Sequence, residues 1–71
     1  MASESLAPAD GLVWKIVKKA GDTVSEGDEI VILESMKMEI PVTAATGGTI
    51  TRLFVEEGQA VEEDDTIAEV E

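Results

Sequence analysis

Neither cysteine nor histidine occurs anywhere in the chain, and tyrosine is missing too. Without cysteine there can be no disulfide staple and no thiolate metal site. Without histidine the commonest general base and the commonest soft-metal ligand are gone as well. Bases are scarce, five against sixteen acids, which leaves a net charge of −11. Nucleic acid and anionic membrane would both repel such a chain, so neither is expected as a partner. Apolar runs are short, and none approaches the roughly 20 residues of a membrane span. The opening Met1-Ala2-Ser3-Glu4 has neither the basic nor the apolar region of a secretory signal. These absences predict a cytoplasmic domain that is no enzyme.

What the chain does hold is aliphatic. Hydrophobic residues make up 44 % of it, yet they include only one Trp and one Phe, so Val, Ile, Leu and Ala must supply the core. Seventy-one residues make a single domain, residues 1–71. At this size folding buries only about 60 % of the surface that the extended chain exposes. Short β-branched stretches run over Leu12 to Val17, Ile30 to Leu33, Ile40 to Thr43, Ile50 to Val55 and Thr66 to Val70. Turn signals separate them: Ala20-Gly21-Asp22, Glu26-Gly27-Asp28, Thr46-Gly47-Gly48, Glu57-Gly58-Gln59 and Asp64-Asp65. No glycine-free window carries a 3.6-residue apolar period, so an all-β barrel or sandwich is expected. Val13 and Ile16, three apart, break the strict alternation, and a bulge or a tight twist is expected there.

An internal repeat organises the chain. Shifted by 37 residues, Gly11 to Glu34 falls on Gly48 to Glu71 with seven of 24 positions identical. The identities are Gly11 with Gly48, Gly21 with Gly58, Val24 with Val61, Glu26 with Glu63, Asp28 with Asp65, Ile30 with Ile67 and Glu34 with Glu71. Matched glycines fall at turn positions and matched apolar residues in strands, which predicts two like halves, 1–34 and 38–71, related by a pseudo-two-fold axis. Only Ser35-Met36-Lys37 stands outside the repeat. A function peculiar to one place belongs there.

That segment joins two strand-like runs, so Met36-Lys37 should form the tip of a hairpin. Two-residue hairpin loops prefer Asn-Gly or Gly-Gly, and a lysine between two methionines follows no turn rule. Two readings stand side by side here: a core-filling Met pair around a solvated lysine, or an apolar recognition element. The acids form no calcium-loop spacing, and no metal site is expected. Half of them lie after Val55, as a solvated face, whereas Lys15, Lys18 and Lys19 cluster in the first half.

Glu34-Ser35-Met36-Lys37-Met38-Glu39 resembles the attachment sequence of the biotin carboxyl carrier, or biotinyl, domains of the biotin/lipoyl attachment family. Their hallmark is Met-Lys-Met. Ala7-Pro8 with Gly11, the Gly21-Asp22 and Gly27-Asp28 turns, and Gly48 and Gly58 extend the resemblance over nearly the whole chain. The resemblance implies a flattened barrel of two four-stranded antiparallel sheets with pseudo-two-fold symmetry. It puts the biotinyl lysine at a hairpin tip and both termini at the other end. Ser35 stands where many members have Ala, a neutral exchange of small residues. Lys18 stands where relatives carry an apolar residue, its stem covering the barrel while its ammonium reaches water.

By the same resemblance Lys37 carries biotin through an amide, Met36 and Met38 flank it for recognition, and Glu34, Ser35 and Glu39 are candidates for ligase recognition. A free lysine is an ammonium ion at neutral pH, so a biotin protein ligase must supply both the activated acyl group and the base. The arm would then carry CO₂ from a biotin carboxylase to a carboxyltransferase, its tether raising the effective concentration. A lipoyl carrier shares the fold and the turn, but lipoyl domains usually place Asp before the lysine and Ala after it. The third reading is an unmodified β-barrel interaction module with the Met pair as its contact.

Overall fold

The computed structural model describes residues 3–71; Met1 and Ala2, which begin the first predicted half, lie outside the described residues. Eight strands follow one another: β1 (Ser3–Leu6), β2 (Gly11–Ile16), β3 (Thr23–Val24), β4 (Glu29–Ser35), β5 (Met38–Thr43), β6 (Gly48–Leu53), β7 (Ala60–Val61) and β8 (Thr66–Val70). Five of them are the stretches that β-branched composition predicts. The other three carry almost no local signal. β1 reads Ser-Glu-Ser-Leu, and β3 and β7 are two residues each. Tertiary pairing alone makes them strands.

The strands form two four-stranded antiparallel sheets, ordered β1-β8-β6-β3 and β5-β4-β2-β7. A shift of 37 residues carries β2 onto β6 and β3 onto β7 without remainder, and it exchanges the two sheets. Each sheet takes two strands from each half, so the halves interlock and neither is complete alone. Of the bulge or twist expected after Val13, the structure has the bulge. The β2–β4 register slips between Val13 and Lys15, and the equivalent slip in β6–β8 falls between Ile50 and Arg52.

The core repeats the symmetry in aliphatic pairs. Val13 with Ile50, Val24 with Val61, Ile30 with Ile67, Val31 with Ala68, Leu33 with Val70 and Ala7 with Ala44 are all buried. A fully buried Ile or Leu is worth about 1.5–3 kcal/mol over its exposed state. Two mismatches mark where the halves diverged. Val42 has as its mate Ser5, buried with no hydrogen-bond partner for Oγ. Buried Val55 has half-buried Lys18, as the sequence predicts for a stem lying on the barrel.

Equivalent loops close in the same way. Asp22, Asp28 and Asp65 each accept the amide three residues earlier at 2.9 Å, and Gln59 does so at 3.1 Å. These loops sort to two ends of a body 33 × 18 × 18 Å. A Cβ on Gly47 would stand 3.7 Å from Ser25 Cα, and Gly48 lies against the Glu71 carbonyl, so both loops and the C-terminus share one end. Ser3 pairs with Val70 there. From that end β4 runs seven residues, about 23 Å at 3.3 Å per residue, to the opposite end. Both described termini therefore lie far from the β4–β5 hairpin, as the resemblance implies.

Candidate functional site

At that opposite end β4 and β5 pair through Leu33 with Ile40, Glu34 with Glu39 and Ser35 with Met38. Only Met36 and Lys37 remain to turn the chain. Both have positive φ, 50° and 66°, the two left-handed residues of a type I′ turn. This geometry suits the right-handed twist of the strands, but it costs a non-glycine residue of order 1–3 kcal/mol. A second unfavourable choice sits one pair below, where two exposed carboxylates, Glu34 and Glu39, face each other across the strands. Local rules broken twice within six residues mark a site kept for something other than folding.

The side chains at the tip point outward. Met36 is 92 % exposed and Met38 64 %, so neither fills the core and that reading of the pair is excluded. Lys37 is exposed between them, and half-buried Ser35 closes the root of the turn. The hairpin brings together all six predicted residues, Glu34, Ser35, Met36, Lys37, Met38 and Glu39, on one projecting loop. Gly11 fixes its root. A Cβ there would lie 2.8 Å from the Glu34 carbonyl oxygen and 3.5 Å from Ser35 Cβ.

Sequence reasoning did not place the neighbours of the hairpin. Asp10 Oδ1 accepts the Glu63 amide at 2.7 Å, and Ala7 exchanges backbone bonds with Asp64 and Asp65 at 2.8 and 2.9 Å. Asp10 directly precedes Gly11, so the acidic Glu62–Asp65 loop stands at the end that carries Lys37. Of the late acids, Glu62 to Asp65 are exposed at this end, whereas Glu69 is half-buried on β8 and Glu71 lies at the far end beside Gly48. Nothing in the sequence links positions 10 and 63. The repeat gives the only hint, because it matches Ala7 with Ala44 and Asp28 with Asp65.

Fold and tip together define a class: a small two-sheet barrel that holds one lysine out on a strained hairpin. Comparison with known proteins agrees. A family described as "Biotin-requiring enzyme", the biotin/lipoyl family, matches residues 1–70. The chain is 45 % identical over 60 residues to a biotin/lipoyl attachment protein of Bacillus subtilis, covering 84 % of this chain and 82 % of that protein. It is 48 % identical over 64 residues to the biotin-dependent acyl-coenzyme A carboxylase alpha3 subunit of Mycobacterium leprae, covering 90 % of this chain but only 11 % of the subunit. The solved Kluyveromyces lactis urea carboxylase superposes with a TM-score of 0.93 at 33 % identity, over 99 % of this chain and 6 % of that one. The chain belongs to the biotin/lipoyl attachment family.

Proposed function

We propose that residues 1–71 form one biotinyl domain and act as a biotin carboxyl carrier. Lys37 is its attachment point. Its Nζ forms an amide with the biotin acyl group, taken from an acyl adenylate that a biotin protein ligase supplies; the acyl–phosphate bond breaks, AMP leaves, and the two protons that the ammonium sheds pass by way of the ligase to solvent. When attached, biotin supplies the ureido nitrogen that accepts and yields CO₂. Once that amide is formed, this chain's own residues only position the arm: the β4–β5 hairpin holds its root, and the two Met side chains present it. The domain is cytoplasmic and non-catalytic, and it serves a biotin carboxylase and a carboxyltransferase in turn. Met36, Met38, Glu34, Ser35 and Glu39 make up the surface that the ligase reads.

One observation carries this reading: an exposed lysine in a left-handed turn, held between two exposed methionines at the far end from the termini. The described residues fit a covalent acyl arm, because Lys37 is free of packing and its charge stabilises no buried partner. Intact mass after co-expression with a biotin protein ligase is the test. Wild type should gain one biotinyl group, and Lys37→Ala should gain none while melting as wild type does. Streptavidin retention of the Lys37→Ala variant would move the site elsewhere. A lipoyl mass on material from the native host would replace biotin with the sulfur-bearing arm.

A further inference from the structure

Sulfur in this chain is confined to three methionines, because cysteine is absent. Met1 lies outside the described residues, and the other two flank Lys37. The thioethers of the described residues therefore all sit beside the attachment lysine. Both are open to solvent, Met36 at 92 % and Met38 at 64 % exposure. Oxidation of a thioether follows its exposure, and no thiol of the chain competes for the oxidant. Neither side chain belongs to the core, so an added oxygen displaces no packed group. The pairing of Ser35 with Met38 and the left-handed turn at Met36 are main-chain features, which the reaction leaves untouched. In a core the same oxidation disrupts packing. At this tip it changes only what the hairpin presents to another molecule.

We propose that Met36 and Met38 form a reversible oxidation site that gates acylation of Lys37. The oxidant is a peroxide, and the reductant is a dithiol-dependent methionine sulfoxide reductase. A sulfur lone pair attacks one peroxide oxygen, an S–O bond forms and the O–O bond breaks. The proton on the transferred oxygen passes to the departing one, which leaves as water when the peroxide is hydrogen peroxide. Sulfur has then lost the two electrons that the peroxide gained. In the reverse step two thiols become one disulfide, the sulfoxide oxygen leaves as water and the thioether returns. The chain has no thiol of its own, so those electrons come from outside. Each sulfoxide turns an apolar side chain of the tip into a polar hydrogen-bond acceptor. The pair next below, Glu34 and Glu39, is made of carboxylates and offers it no side-chain donor. A ligase must close over the tip to reach Nζ, and an acceptor buried there without a donor opposes that closure. Leucine would present similar apolar bulk at both positions. Only a thioether lets the same surface be made polar and then restored.

The gate rests on the carrier reading above, whereas the oxidation does not, and the test keeps them apart. Unmodified wild type is treated with hydrogen peroxide, quenched with catalase and mapped by peptide mass. Met36 and Met38 should each gain one oxygen, with the thermal melt unmoved. Given biotin, ATP and a purified biotin protein ligase, the oxidised chain should acylate Lys37 about tenfold more slowly or worse, as burial of an unpaired acceptor requires. Methionine sulfoxide reductases of both epimer specificities, with dithiothreitol, should restore the rate. The variant Met36→Leu/Met38→Leu keeps Met1 and Trp14 and should ligate equally before and after peroxide. If that variant ligates too slowly to follow, recovery of wild type with the reductases decides. An unchanged ligation rate with both sulfoxides mapped overturns the gate and leaves the carrier reading in place. So does a loss that comes with unfolding, that the reductases do not reverse, or that the Leu variant shares. Thioethers that survive a peroxide dose sufficient for free methionine overturn the oxidation site itself. Failure of untreated wild type to take up biotin overturns the carrier reading and the gate together.

Discussion

The Glu34 carbonyl oxygen occupies the space that a side chain on Gly11 would need, 2.8 Å from its Cβ position. Gly48 stands in the same relation to Glu71 across the pseudo-two-fold axis. At one end this contact seats the root of the Lys37 hairpin, and at the other it seats the C-terminus. Gly11→Ala must push β2 away from β4, since backbone cannot swing aside as a flexible side chain can. The expected cost is about 1–3 kcal/mol, typical of overpacking, and Gly48→Ala should cost at least as much. Urea melts of both variants measure this. Wild-type midpoints for both would show that the approach is not tight.

Strain at the tip is open to a direct test. Met36 and Asp64 both hold positive φ, at 50° and 71°, and Asp64 stands where the other half has Gly27. Aspartate tolerates the left-handed region better than methionine does. Met36→Gly should therefore stabilise the domain by about 1 kcal/mol and Asp64→Gly by less, the gain offset in part by a freer unfolded chain. Thermal melts decide. If Met36→Gly melts lower than wild type, the turn does not store strain.

Ligation should respond to the methionines although folding does not. Met36→Asp with Met38→Ala alters two exposed side chains, and exposed substitutions usually shift stability by less than about 0.5 kcal/mol. The double variant should fold normally and lose biotinylation rate with a purified ligase. Equal rates for the two proteins would leave the Met pair without a recognition role.

Symmetry in the core predicts symmetry in stability. Val24 and Val61 are 3 % and 5 % exposed, and Ile30 and Ile67 are both at 0 %. Truncating any one of them to Ala should cost on the order of 1–4 kcal/mol, a large part of what so small a domain holds. Matched positions should lose similar amounts, because each sheet takes strands from both halves. Four thermal melts provide the comparison. A loss confined to one half would mean that the halves do not share one core.

Which features were legible in the chain follows from the range over which each is specified. The turn glycines, the β-branched runs, the bulge after Val13 and the 37-residue repeat are written in neighbouring residues. They led to an all-β, two-fold barrel before any contact was known. The Met36-Lys37 tip stood out for a local reason as well, being the one turn that lacks turn residues. Its methionines could not be assigned to core or solvent from sequence, because methionine suits both, and only the I′ geometry turned them outward. β3 and β7 are two residues long and gain their hydrogen bonds from β6 and β2. Ser5 is buried because β8 lies beside it, not because of its own polarity. The gathering of Asp10 and Glu63 next to the hairpin arises from pairing across more than fifty residues and from the exchange of strands between halves. Local sequence sets the strands and turns. The interlocking of two half-cores that cannot be buried separately decides which residues face each other, and so what surrounds Lys37.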